Sequence, residues 1–100
     1  MGLWTFHCTD GEHGAELRKM HLREHLDHIR TNIDRYAVAG PLRQGDRTVG
    51  SLLVIVADSE QTARSYFESD PYFHAGVWQA IRCSAFSAVA GEWVGGVSWE

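Results

Sequence analysis

The sequence predicts an α+β domain with the element order βαββαβ, and three observations carry that reading. A proline-free stretch from about Glu12 to Tyr36 repeats apolar residues at helical spacing, Thr48 to Ala57 is apolar on alternate positions of both parities, and Asp70-Pro71 ends a second helical stretch. At 100 residues with 44% hydrophobic side chains, the chain supports a single domain with its own core, residues 1–100. A formal net charge of -4 and the lack of any Lys/Arg cluster argue against nucleic acid as a partner, because phosphate neutralisation needs a basic surface. The longest apolar run, Leu52 to Ala57, is too short to cross a bilayer, and the N-terminus lacks a basic region followed by an apolar core. A cytoplasmic protein with no membrane partner is expected. Cys8 and Cys83 lie far apart without CxxC spacing, so free buried thiols are expected.

The first strand is Leu3-Trp4-Thr5-Phe6-His7-Cys8, whose β-forming and aromatic residues stop at the Asp10-Gly11 turn signal. His7 within it reads either as a packed strand residue or as part of a site lining. In the long helix that follows, Leu22, Leu26, Ile29 and Ile33 mark one face for burial. Beside that face run His21, His25 and His28, one turn apart from each other. Histidines at this spacing are able to ligate zinc, but no third and fourth ligand is evident, with Glu24 and Asp27 elsewhere on the helical wheel. No metal is therefore expected, and His21 and His28 read as a solvated face. His25 differs, since it borders the apolar stripe, where a half-buried imidazole is open to tuning.

Tyr36-Ala37-Val38-Ala39 reads as a short strand ended by Gly40-Pro41, and Arg43 to Arg47 with Gly45-Asp46 as a hairpin loop. In the third strand, Thr48 to Ala57, Val49, Leu53 and Ile55 face one side and Leu52, Val54 and Val56 the other. Two helices in a split β-α-β plan cover one face only, so a second copy of the chain is expected on the other. Asp58-Ser59-Glu60-Gln61 has the capping and acidic residues of a helix start, with Ala63, Tyr66 and Phe67 facing inward. That helix ends at Asp70-Pro71 in a compact turn, and Trp78 to Phe86 forms the last strand with Ile81 and Cys83 on one side. An antiparallel pairing of first and last strands would bring Cys8 near Cys83. Residues 87–100 are a glycine-rich C-terminal extension, with Trp93 and Trp99 expected to dock, in one reading across a dimer.

Several of these segments together resemble the YciI-like (YCII-related) family over most of the chain. They are Arg23-Glu24-His25-Leu26, Ala39-Gly40-Pro41-Leu42, Gly50-Ser51, and Asp70-Pro71-Tyr72 with Ala75-Gly76-Val77. The resemblance implies a ferredoxin-like fold, a dimeric α+β barrel with sheets face to face, and a cleft where a His and an Asp act as an acid–base pair. Those two roles fall on His25 and Asp70. One branch of the family is similar to enzymes that eliminate chloride from chlorinated aromatic breakdown products, and another occurs as a fused or accessory domain. The segment after Phe86 is longer than the family pattern requires.

Chemistry gives the pair a reason. A carboxylate beside one imidazole nitrogen fixes the tautomer and leaves the other nitrogen to take or give a proton near neutral pH. With no serine elbow, glycine-rich phosphate loop or cofactor fingerprint, cofactor-independent proton transfer on a small organic acid, by isomerisation or elimination, is the expected activity. Arg18, Arg23 and Arg82 are candidates to hold a substrate carboxylate, or else solvated cations; His7 and Tyr72 complete the candidate lining. The competing expectation is a non-catalytic dimeric module that binds a ligand or a protein, with His25 and Asp70 in a structural hydrogen bond.

Overall fold

The strand that is apolar on both sides becomes an interior strand. In the computed structural model, which describes residues 2–99, β1 (Gly2–Asp10), β2 (Tyr36–Gln44), β3 (Arg47–Ala57) and β4 (Trp78–Phe86) form one antiparallel sheet in the order β2-β3-β1-β4. Three helices accompany it: α1 (Gly14–Thr31), α2 (Glu60–Glu68) and α3 (Pro71–Ala75). This is the ferredoxin-like βαββαβ arrangement with one helix added. Phe6 on β1 stands opposite Leu53 of β3 and Cys83 of β4, so alternation sends Phe6, Cys8, Leu53 and Ile55 to the same face. There they meet Ala63 and Phe67 of α2 and Tyr72 of α3, all buried.

Aromatic stacking ties that layer together. The Phe67 ring lies 4.3 Å from Phe6 and 5.3 Å from Trp78, centroid to centroid. Such pairs add about 0.5–1.5 kcal/mol each beyond the area they bury. Ser59 caps α2 by accepting the Thr62 N–H at 3.2 Å, as its position before an acidic first turn implies.

Several boundaries differ from the sequence reading, each for a physical reason. β2 runs through Gly40 and Pro41 to Gln44 rather than stopping there. It is an edge strand, where a residue without an N–H leaves no ladder bond broken on the open side. α1 begins at Gly14 and ends at Thr31, and Ile33 falls in a 3₁₀ turn, 62% exposed. Leu22 and Leu26 are 47% and 49% exposed, so their stripe walls a cleft instead of filling the core. The expected turn after Asp70 is the five-residue helix α3, stopped by Gly76 at φ 79, in the left-handed region open to glycine. Trp93 and Trp99 do not dock on their own chain, being 86% and 68% exposed. Cys8 pairs with Ile81, two positions from Cys83 and on the same face, and both cysteines are free thiols, Cys8 buried as expected but Cys83 only half-buried.

The opposite face of the sheet carries Leu52 and Val56, half-buried, and Val38 and Phe86, exposed, together with His7. Among the described residues no helix is long and apolar enough to cross a membrane.

At one point β1 and β3 approach so closely that only glycine fits. A Cβ on Gly50 would run into the Cys8 carbonyl oxygen, which is backbone and cannot swing away. Gly50→Ala is expected to cost about 1–3 kcal/mol of folding stability, the usual range for overpacking. Denaturant unfolding checks this; an unchanged midpoint would mean the strands separate freely here.

Candidate active site

Asp70 occupies the junction of α2 and α3, where Pro71 at the first helical position holds it extended at φ -69, ψ 129. It is fully buried. Its Oδ1 caps α3 by accepting the Tyr72 N–H at 2.8 Å, and the same oxygen lies 2.8 Å from His25 Nδ1 on α1. Oδ2 is buried without a partner among the described residues. Against a carboxylate, Nδ1 is the protonated ring nitrogen, which leaves the lone pair on Nε2. The imidazole stacks on the Tyr72 ring at 3.8 Å with an interplanar angle of 1°, so tautomer and plane are both set.

A second constellation adjoins the first. Arg18 of α1 donates from Nε to Asp10 Oδ2 at 2.8 Å, and its Nη2 shares two protons among Asp10 Oδ1 at 2.8 Å, Gly50 O at 3.0 Å and Ser51 Oγ at 2.9 Å. Its carbon Cζ lies 5.4 Å from the centre of the Tyr72 ring, whose hydroxyl donates to the Arg18 carbonyl at 3.2 Å. Gly14 makes room for this, since a Cβ there would come within 2.8 Å of Asp10 Oδ2.

Between α1 and the β2–β3 edge lies a cleft of about 300 Å³, with Arg18, His25, Ser51 and Tyr72 as its polar lining. Leu22, Leu26, Ile29, Ala39, Pro41 and Leu53 form the apolar remainder. Of the candidate residues, His25, Tyr72 and Arg18 thus share one cleft, with Asp70 bonded behind His25. Arg23 is exposed and outside the lining, and His7 is exposed on the far face of β1, opposite Arg82. The histidine stripe diverges in partners: His21 reaches Glu24 at 3.5 Å, while His28 is half-buried with Nε2 3.3 Å from the Tyr36 hydroxyl. His28 is therefore not on a solvated face. Burial lowers its pKa, opposed by the Asp70 charge and reinforced by His25 and Arg35.

Asp10 and Ser51 were not anticipated as site residues. Asp10 read as a turn signal, and the only hint of Ser51 was its place in the Gly50-Ser51 pair of the family resemblance.

The comparisons agree with this architecture. A model of the YCII-related domain matches residues 3–87, and no curated protein matches the chain. Among solved structures the fold resembles a 5-chloro-2-hydroxyhydroquinone dehydrochlorinase from Burkholderia phenoliruptrix in complex with 2,5-dihydroxybenzoquinone. The TM-score is 0.76 at 22% identity, over 90% of this chain and 96% of that one.

Two groups whose protons the fold retains, Cys8 and Tyr36, make stability depend on alkaline pH. Burial, then the Asp70 charge, pushes the Cys8 thiol from 9.0 up to about 12, and the same two causes push Tyr36 from 10.0 up to about 12. Folded, both groups keep protons that the unfolded chain gives up, so their contribution is complete below 9.0 and falls as pH rises towards about 12. Denaturant midpoints are expected to drop across that interval, and less steeply in Cys8→Ala. A midpoint flat with pH would contradict it.

Proposed function

Because the chain belongs to the family of YCII-related domain proteins, we propose that it is a small cofactor-independent acid–base enzyme, an isomerase or a lyase of the dehydrochlorinase kind, acting on a small organic acid. The observation that carries this reading is the 2.8 Å contact between His25 Nδ1 and the buried Asp70 Oδ1 beside a cleft. Support of a coarser kind comes from the fold it shares with a dehydrochlorinase bound to a small quinone.

In the proposed step His25 Nε2 takes a proton from the substrate while Asp70 stabilises the imidazolium through Nδ1. The electron pair released forms a new double bond. In an elimination it expels the leaving group with its own pair, and in an isomerisation the imidazolium returns the proton to another atom. No oxidant or reductant enters either balance. Tyr72 holds the ring plane, and the rest of the cleft lining is mostly apolar.

The protein is proposed to work as a homodimer in the cytoplasm, two sheets meeting across the face that bears Leu52, Val56 and Val38. Soluble monomers rarely leave a large apolar sheet face open to water. Light scattering at micromolar concentration is expected to give twice the mass of the chain, and a stable monomer would refute it.

The catalytic reading is tested by chloride release from chlorinated dihydroxybenzenes and by deuterium uptake into their rings. Asp70→Asn retains a good helix cap but removes the charge, and is expected to lower the rate about 100-fold or more, as loss of general acid–base catalysis does. His25→Gln, whose amide keeps an N–H donor but has no basic nitrogen, is expected to do the same. Rates equal to wild type in both variants would favour a binding module instead.

A further inference from the structure

We infer that Arg18 and Ser51, with Asp10 behind them, form a charge-compensated cradle for one substrate oxygen, selecting a weakly acidic hydroxyl over a carboxylate. The inference rests on the reading that the cleft beside His25 holds the substrate. It narrows the small organic acid to one that arrives with its proton in place.

Arg18 is not a free cation awaiting a carboxylate. Its guanidinium is paired through two bonds of 2.8 Å with Asp10, and the two side chains are only 16% and 9% exposed. A pair so enclosed keeps little attraction for a third charge. All of its hydrogen bonds use Nε and Nη2, so that Nη1, among the described residues, retains both donors. Ser51 is 7% exposed and lines the cleft. Its Oγ accepts from Arg18, and among the described residues its own proton has no acceptor. What remains at this wall is therefore a set of N–H and O–H donors with no net charge behind them. Donors of that kind hold a hydroxyl or carbonyl oxygen.

The charges around the cleft point the same way. Asp10 comes from β1, Arg18 and His25 from α1, and Asp70 from the junction leading into α3, so two carboxylates face one permanent cation. These charges reach the same side chains. Burial raises the pKa of the Tyr72 hydroxyl, Arg18 lowers it, and Asp70 and Asp10 raise it again. With His25 neutral, a carboxylate ligand would add a third negative charge to a half-enclosed space, which is costly at low dielectric. An un-ionised enol or phenol adds none. When such an acid gives its proton to His25 Nε2, the O–H bond breaks, the pair stays on oxygen, and the anion is held between the new imidazolium and the Arg18–Ser51 donors. A carboxylic acid has already lost its O–H proton near neutral pH and has none to give His25 at that oxygen.

The test is equilibrium binding, by calorimetry near neutral pH, of two probes of matched size: resorcinol, un-ionised, and benzoate, ionised. Wild type is expected to bind resorcinol at least about tenfold more tightly than benzoate. In Asp10→Asn, which keeps the shape and releases the Arg18 charge, benzoate affinity is expected to rise about tenfold and the preference to shrink or invert. Ser51→Ala is expected to weaken resorcinol several-fold and benzoate less, and it keeps the test open if Asp10→Asn fails to fold. Equal affinities in wild type, a preference unchanged in both variants, or no binding of either probe at millimolar concentration would overturn the cradle. Failure of the acid–base reading looks different: resorcinol still outbinds benzoate, but His25→Gln leaves proton exchange unchanged. Should proton exchange need His25 while the probes bind equally, the cradle alone fails.

Discussion

The Asp70 carboxylate joins the fold to the candidate site. One buried oxygen caps α3 through the Tyr72 N–H and meets His25 across from α1, each at 2.8 Å. The other oxygen has no partner among the described residues, so the carboxylate depends on these two donors. Removing either leaves a charge desolvated and under-paired, which typically costs several kcal/mol. The cap and the imidazole contact therefore stand or fall together. Pro71 contributes from the chain itself, because it has no N–H to leave unsatisfied at the first turn and holds Asp70 extended.

Around this contact the helices are arranged as supports. α2 stacks Phe67 between Phe6 and Trp78, which fixes the point from which α3 departs. α3 then presents Tyr72 as a flat platform with the imidazole of His25 on it and the Arg18 guanidinium near its ring. α1 contributes few buried residues of its own, Gly14 alone being fully enclosed. It is held by polar contacts, Arg18 to Asp10, Gly50 and Ser51 and His25 to Asp70, more than by packing. That choice leaves a gap between helix and sheet, and the gap is the cleft.

The two sheet faces have separate roles. Residues of the Phe6, Cys8 and Leu53 face build the core and one wall of the cleft, while their neighbours at alternate positions build a surface with Leu52 and Val56 half-covered. Trp93 and Trp99 extend beyond residue 87, where the YCII-related match ends, and stay exposed.

Local chemistry made much of this legible in the sequence. Alternation in β3 identified an interior strand, Ser59 before Glu60 a capped helix, and Asp70-Pro71 a rigid corner, since each depends on residues adjacent in the chain. The border position of His25 was readable from helical spacing, and its pairing with Asp70 came from the family resemblance. Other features rest on distance in space alone. Nothing local separates a Leu22 that fills a core from one that walls a cleft, because periodicity reports which face a residue shares and not how near the opposite surface comes. Pro41 ended a strand on paper and continued one in the fold, because edge position belongs to the sheet and not to the segment. Asp10 looked like a turn residue until Arg18 met it, with Gly50 and Ser51 supplied by a strand more than thirty residues onward. Backbone preference and hydrophobic period act within a few residues and so were fixed by sequence; the neutralised arginine and the gap beside His25 arise only where three elements converge, and tertiary packing decided them.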